Sequence, residues 1–488
     1  YWPKSRQKPE NLQWHDEDLF LYVSRTQTAR KASCRGGCVI RKLEKLLSAL
    51  IFILTLCLGY QIYRPYVHRM AGQITQAVVG QESGGTAQTG TALAEEIPEE
   101  GLPAYYDGRE TGRAPQVKNQ GNLGTCWALA ATSALEANLR PAETWSFSAD
   151  HMSMQNGYGN NQNDGGAYTM AMAYLAAWIG PVTEEADPYG DGYSPDGLSP
   201  VKHVQEMHMI RDASVEEIKK EVYLYGAVQA SIYVADGSLD ASPYYSSAND
   251  SYRYTGEESA NHDILIIGWD DSYQAANFTN PPSGNGAFIC QNSWGNQFGE
   301  NGIFYVSYED ARIRETCVSY AVIENTDNYG QIYQSDLCGW VGQIGYGSDT
   351  CYFANVYTPT GNETLEAVGF YATDRNTSYE VYVVERFADT SSLVVWEPDV
   401  AGSFETAGYY TVPLEETVSL AAGEPFAVLV KITTPDSPYP VAAEYQADEM
   451  TQNVTIDDGQ GYISNNGYLW TRTEQQYGCN ICLKAYTS

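Results

Sequence analysis

Cys126 lies in QGNLGTCW, with Gln120 six residues upstream and the run WALAATSALEANL directly after it. That run holds no Gly or Pro before Pro141 and reads as a mostly buried helix of about three to four turns. A thiol at a helix start is favoured as the thiolate by the partial positive charge of the unsatisfied N–H groups. The stretch before it, rich in Gly and Asn, reads as a loop with free backbone N–H groups. Gln120 would add a side-chain amide to the Cys126 N–H, giving two donors aimed at a developing oxyanion. Taken alone, such a cysteine is more often a small buried hydrophobe than a nucleophile. Nucleophilic chemistry needs a base, and the base is expected far away in sequence.

The chain has only six histidines. His262 opens NHDILIIGWDD, in which Ile264 to Gly268 form a continuous apolar run typical of a core strand. In the next strand, GAFICQNSWG, Asn292 would accept the His262 ring proton through its amide oxygen and so fix the tautomer. Trp294 would shield that bond from water. His151, His203 and His208 have no metal-ligand spacing to a second His or Cys and read as surface or satisfied core residues. Glu184-Glu185 and Asp270-Asp271 read as solvated pairs. No metal or cofactor is expected.

The order Cys126, His262, Asn292, with QGNLGTCW, NHDILIIGW and NSWGNQFGENG, resembles the papain-like cysteine peptidases over about Leu102 to Asp310. The resemblance implies a two-lobed fold, with a helical lobe carrying the nucleophile, a β-barrel-like lobe carrying the histidine, and the cleft between them. It also implies that Gly165 and Gly166, which follow Asp164, hydrogen-bond the backbone of an extended polypeptide substrate. Two departures stand out. The family's cysteine three residues before the nucleophile is Leu123 here, and its disulfide partner before the glycine pair is replaced by Asn163 or Asp164. The residue after the histidine, small in the family, is Asp263. It either lines the pocket for the second substrate residue before the scissile bond and favours a basic side chain, or turns away into local hydrogen bonds. The long link DSYQAANFTNPPSGNG is expected to extend a surface hairpin.

The net charge of −33 is unevenly spread. Residues 1–70 hold twelve Lys/Arg against five Asp/Glu, net +7, leaving 16 against 56, net −40, in residues 71–488. Nothing in the acidic part is suited to nucleic acid. The basic tail precedes LLSALIFILTLCLGYQIY, an apolar run long enough to span a bilayer. The positive-inside rule then places residues 1–45 in the cytoplasm, residues 46–63 in the membrane and everything beyond outside it. A cleaved signal peptide is the rival reading, but Arg64, Tyr66 and His68 crowd its cleavage site. Residues 64–100, low in aromatics and rich in Gly, Thr and Gln, read as a flexible stalk.

Residues 101–324 form the expected peptidase domain. From 325 to 488 the chain alternates in short runs such as TSYEVYVVERF and EPFAVLVKI, the pattern of an antiparallel β-sandwich. QIYQSDLCGW and ETLEAVGFYAT resemble the lectin-like domain of some bacterial papain-like proteins, which implies a carbohydrate or cell-surface ligand. Tyrosine-rich strands are more often ordinary sandwich packing. Cys338, Cys351, Cys479 and Cys482 are candidates for two disulfides, or for a zinc site through CNIC at 479–482. Cys317 stays unassigned. The expected fold class is therefore α+β: a transmembrane helix, a papain-like domain and a β-sandwich. The expected function is a cysteine endopeptidase on the outer side of a bacterial membrane. A surface adhesion or glycan-binding protein with a non-hydrolytic scaffold is the alternative, and an amidase or acyl transferase on cell-wall peptides a third.

Overall fold

A computed structural model describes residues 97–488 apart from 236–238, 240–241 and 457–458. The expected tail at 1–45, membrane span at 46–63 and stalk up to residue 96 lie outside the described residues. Among the described residues, no helix is long and apolar enough to cross a membrane.

The helix Cys126–Leu139 is buried at every position after Cys126. Its many alanines let neighbours approach on all sides, which an amphipathic helix would not allow. Glu136, on this helix, is offset by Lys118 at 2.7 Å, so the buried carboxylate is paired. Around the helix lie Ala149–Met154 and Tyr168–Ala176, which share its apolar cluster.

The strand His262–Asp270 separates two cores. Leu265 and Ile267 join the helical cluster, while Ile264 and Ile266 face a second cluster with Phe288 and Phe304. Alternate residues of one strand thus enter different cores, which is why Ile264 to Gly268 is apolar without a break. Its neighbours are Val228–Ile232, Ala287–Gln291 and, at its far end, Tyr105–Asp107, all antiparallel, the second reached through the long surface connection.

The β-rich C-terminal region is two antiparallel layers over one core. Phe353, Val381, Val428 and Val430 from one layer pack against Val368, Phe370, Val412 and Leu483 from the other. The second layer is not separate from the peptidase. Its strand Ala407–Leu420 pairs with His203–Arg211, in the register Ala407 to Met209 through Tyr410 to Glu206. His203–Arg211 in turn pairs with Thr316–Glu324, so a single thirteen-stranded sheet runs through both domains. At the seam a Cβ on Gly408 would lie 2.0 Å from the Met207 carbonyl oxygen, so only glycine permits this approach.

The expected disulfides are not formed. Cys338, Cys351, Cys479 and Cys482 are free, buried thiols. Cys351 turns its sulfur to the Ser464 carbonyl at 3.5 Å and Cys482 to the Gly339 carbonyl at 3.1 Å, so each is committed to a different part of the core. Among the described residues, no group of His, Cys, Asp and Glu is arranged to hold a metal ion.

Candidate active site

Cys126 is the first residue of its helix and is half-buried. Thr125, at the N-cap, makes no side-chain cap to the helix. Its hydroxyl instead meets that of Tyr189, which also donates to the Gln120 carbonyl at 3.1 Å. Tyr189 therefore braces both ends of the loop before the thiol, and nothing in the sequence marks it for that role.

The Cys126 sulfur faces the backbone N–H groups of Asp263 and Trp127. The first of these belongs to the residue after His262, so helix and strand meet at the thiol. His262 Nε2 lies 2.8 Å from Asn292 Oδ1, which also accepts the Ser293 N–H at 2.8 Å. Two donors on one oxygen fix the asparagine, and the asparagine fixes the ring with Nε2 as the protonated nitrogen. The Trp294 ring lies 4.9 Å from His262, centroid to centroid, and packs edge-on against Phe298. Burial pushes the Cys126 thiol up to about 12 and, against the Asn292 hydrogen bond, the His262 imidazole down to about 4. Burial thus opposes the helix N-terminus at the thiol and disfavours charge on both groups.

Gln120 is held on both sides of its amide. Oε1 accepts from Ser293 Oγ at 2.7 Å, and Nε2 donates to the Leu123 carbonyl at 2.8 Å. One amide hydrogen is used within the loop and one is left over. The Gln120 N–H also donates to the Ser293 carbonyl at 2.8 Å, and Gly295 N–H to the Lys118 carbonyl at 3.0 Å. These bonds join the loop before the thiol to the loop after Asn292.

The glycine pair lies beside the same loop. Gly124 N–H donates to the Gln162 carbonyl at 2.9 Å. A Cβ on Gly166 would lie 2.2 Å from Trp127 Nε1, so the indole next to the nucleophile needs a glycine there. Asn160 Nδ2 donates to the Gly165 carbonyl at 2.7 Å.

Asp263 corrects one expectation. Its carboxylate does not line a pocket for a basic side chain: Oδ1 accepts from Ser231 Oγ at 2.6 Å and Oδ2 from Gln229 Nε2 at 2.7 Å. Burial raises its pKa, and the two hydrogen bonds oppose that rise. Among the described residues, the other three histidines have local partners. His151 meets the Tyr174 hydroxyl at 2.7 Å, His203 meets Asn328 Oδ1 at 2.6 Å, and His208 lies between Glu206 and Glu221 at 2.6 and 3.0 Å.

Residues 102–322 match the papain family cysteine protease model and residues 332–487 the lectin like domain model. Cathepsin L of Sarcophaga peregrina is 29% identical over 213 residues, 41% of this chain and 58% of that protein. Cathepsin K of Gallus gallus is 29% identical over 223 residues, 44% of this chain and 61% of that protein. The chain thus spans about three-fifths of the length of these relatives. Among solved structures, the clostridial cysteine protease Cwp84 after propeptide cleavage superimposes with a TM-score of 0.70 at 25% identity, covering 79% of this chain and 99% of that one. The protease and lectin-like domains of Cwp84, a surface layer associated protein of Clostridium difficile, share the fold at a TM-score of 0.68 and 24% identity, over 82% and 91% of the two chains. Residues 102–322 of this chain are thus a papain-family cysteine protease domain, and the β-rich residues 332–487 a lectin-like domain.

Proposed function

We propose that the chain is a cysteine endopeptidase. Cys126 attacks the peptide carbonyl as His262 takes the thiol proton, and His262 then gives that proton to the leaving amine. Water, deprotonated by His262, releases the acyl group from Cys126. Asn292 orients the imidazole throughout, and the Cys126 N–H with the free Gln120 amide hydrogen receives the oxyanion. Gly165 and Gly166 dock an extended substrate backbone, and Trp294 keeps water from the His262–Asn292 bond.

The observation that carries this reading is the 2.8 Å contact between His262 and Asn292, with the Cys126 sulfur against the N–H of the next residue, Asp263. The test is to label the full-length chain with a peptidyl thiol electrophile and to assay peptide hydrolysis beside Cys126→Ala. Labelling and cleavage should both vanish in the variant. Equal behaviour of the two proteins would leave a non-hydrolytic scaffold with glycan binding as the better account.

The same proposal includes location and a second ligand. The basic residues 1–45 and the apolar run 46–63 support a signal anchor, with both domains on the outer side of a bacterial membrane. The lectin-like domain supports a carbohydrate or cell-surface ligand through its family alone. Protease accessibility of the domains on intact cells tests the first, and glycan-array binding the second.

A further inference from the structure

The segment leading into the glycine pair is covered by the lectin-like domain. Tyr158 Oη donates to the Cys338 carbonyl at 2.6 Å, and Gly159 N–H donates to the Met450 carbonyl at 2.7 Å. A Cβ on Gly159 would lie 3.0 Å from Asn453 Nδ2, and one on Gly157 3.0 Å from the Leu337 carbonyl oxygen. The next residue, Asn160, reaches forward to the Gly165 carbonyl at 2.7 Å. Two hydrogen bonds and one peptide step therefore link Met450 to Gly165.

The loop that carries Met450 is rigid from within. Asp448 Oδ1 accepts the N–H groups of Met450 and Thr451 at 2.9 and 3.2 Å. Thr451 Oγ1 accepts those of Ala447 and Asp448 at 2.8 and 3.0 Å, and Gln446 Nε2 donates to the carbonyls of Gln452 and Val454 at 3.3 and 2.9 Å. The Asp448 carboxylate is spent on its own loop. Gln452 and Asn453 remain exposed, each carrying a donor and an acceptor. An extended peptide advances about 3.3 Å per residue and presents unpaired N–H and C=O groups along its edge. A substrate docked on the glycine pair that runs on past Asn160 and Gly159 therefore comes alongside this loop.

We propose that the 446–454 loop of the lectin-like domain is the outer wall of the peptide cleft. Gln452 and Asn453 hydrogen-bond the backbone of substrate residues three and four positions before the scissile bond. This rests on the peptidase reading above and assigns part of its substrate recognition to the other domain. The partner is an extended polypeptide segment, recognised through its backbone and not through charge.

The test compares two peptides sharing one cleavage site, with two or four residues before it, on the wild-type chain and on the double variant Gln452→Ala, Asn453→Ala. The four-residue peptide should lose roughly tenfold in kcat/KM through KM, as expected for two neutral hydrogen bonds. The two-residue peptide should be cleaved unchanged. Unchanged cleavage of both, or an equal loss on both, overturns the proposal. If wild type cleaves neither peptide, the peptidase reading itself falls and this proposal with it.

Discussion

The Ser293 hydroxyl donates to Gln120 Oε1 at 2.7 Å, so the residue after Asn292 sets which way the Gln120 amide points. Together with the Nε2 bond to the Leu123 carbonyl it holds the amide in one orientation; the opposite one would present an acceptor to the oxyanion. Gln120→Ala should lower kcat by roughly 10²–10³ with little change in KM. Ser293→Ala should lower it by roughly threefold to tenfold, the effect of one neutral hydrogen bond. Steady-state kinetics on one peptide checks both, and a Ser293→Ala enzyme at full rate would show that Gln120 needs no such support.

Activity should persist in acid. The general base must be unprotonated, and burial holds the His262 imidazole at about 4. On lowering the pH, kcat/KM is expected to fall through about 4, well below the ordinary imidazole value of about 6.5. The Asn292 hydrogen bond raises this pKa, so in Asn292→Ala the acid limb should move lower still while the rate drops. A wild-type limb at the ordinary value would mean that the imidazole is solvated when it acts.

Peptides differing only in Arg or Leu two residues before the cleaved bond should be hydrolysed with equal kcat/KM. Asp263 is buried, and Gln229 and Ser231 donate to its two oxygens, so the carboxylate is committed to the neighbouring strand and not turned towards a substrate arginine. The cost of Asp263→Ala should appear as stability, about 1–3 kcal/mol for the donors left unpaired. Denaturant unfolding measures that loss, and a strong preference for Arg would contradict the geometry.

The domain seam should weaken in base. His208, opposite Gly408, is buried between Glu206 and Glu221. Burial lowers its pKa, but the coulombic attraction of Glu221 and the hydrogen bonds it donates to both carboxylates outweigh it, leaving the value at about 10. Its charged form is therefore favoured in the folded state. That stabilisation is fully present below about 6.5, the unfolded value, and is lost as pH rises through about 10. The neighbouring Tyr225 and Tyr410 are held well above their usual value, chiefly by burial, and stay neutral across this window. Unfolding free energies at pH 6 and pH 10 should differ less in His208→Gln than in wild type. An identical difference would assign the pH response to other groups.

The sequence makes Cys126, His262, Asn292 and the glycine pair legible because local pattern governs each of them. The Cys126 helix is Ala-rich because it is buried all round, and the His262 strand is apolar on both faces because each face has its own core. Asp263 is different. Strand alternation tells which face its side chain takes, but Gln229 and Ser231 reach it from a separate strand, 34 and 32 residues away. Tyr189 is hidden for the same reason, acting across 64 residues on Thr125. The cysteine count suggests disulfides, yet counting carries no information on where the sulfurs point; those of Cys351 and Cys482 point at carbonyl oxygens. Ser293 was in plain view within NSWG, and only its contact with Gln120 gives it a task.

The sheet that crosses from Thr316–Glu324 through His203–Arg211 to Ala407–Leu420 makes the two domains poor candidates for recombination. A chain cut after residue 324 would leave the edge of His203–Arg211 with unpaired N–H and C=O groups, the kind of edge that templates aggregation. A different C-terminal domain could replace this one only if it offered a strand of matching register with a glycine opposite His208. The lectin-like domain therefore completes the sheet of its protease, and its sequence is constrained by the edge it covers as well as by whatever it binds.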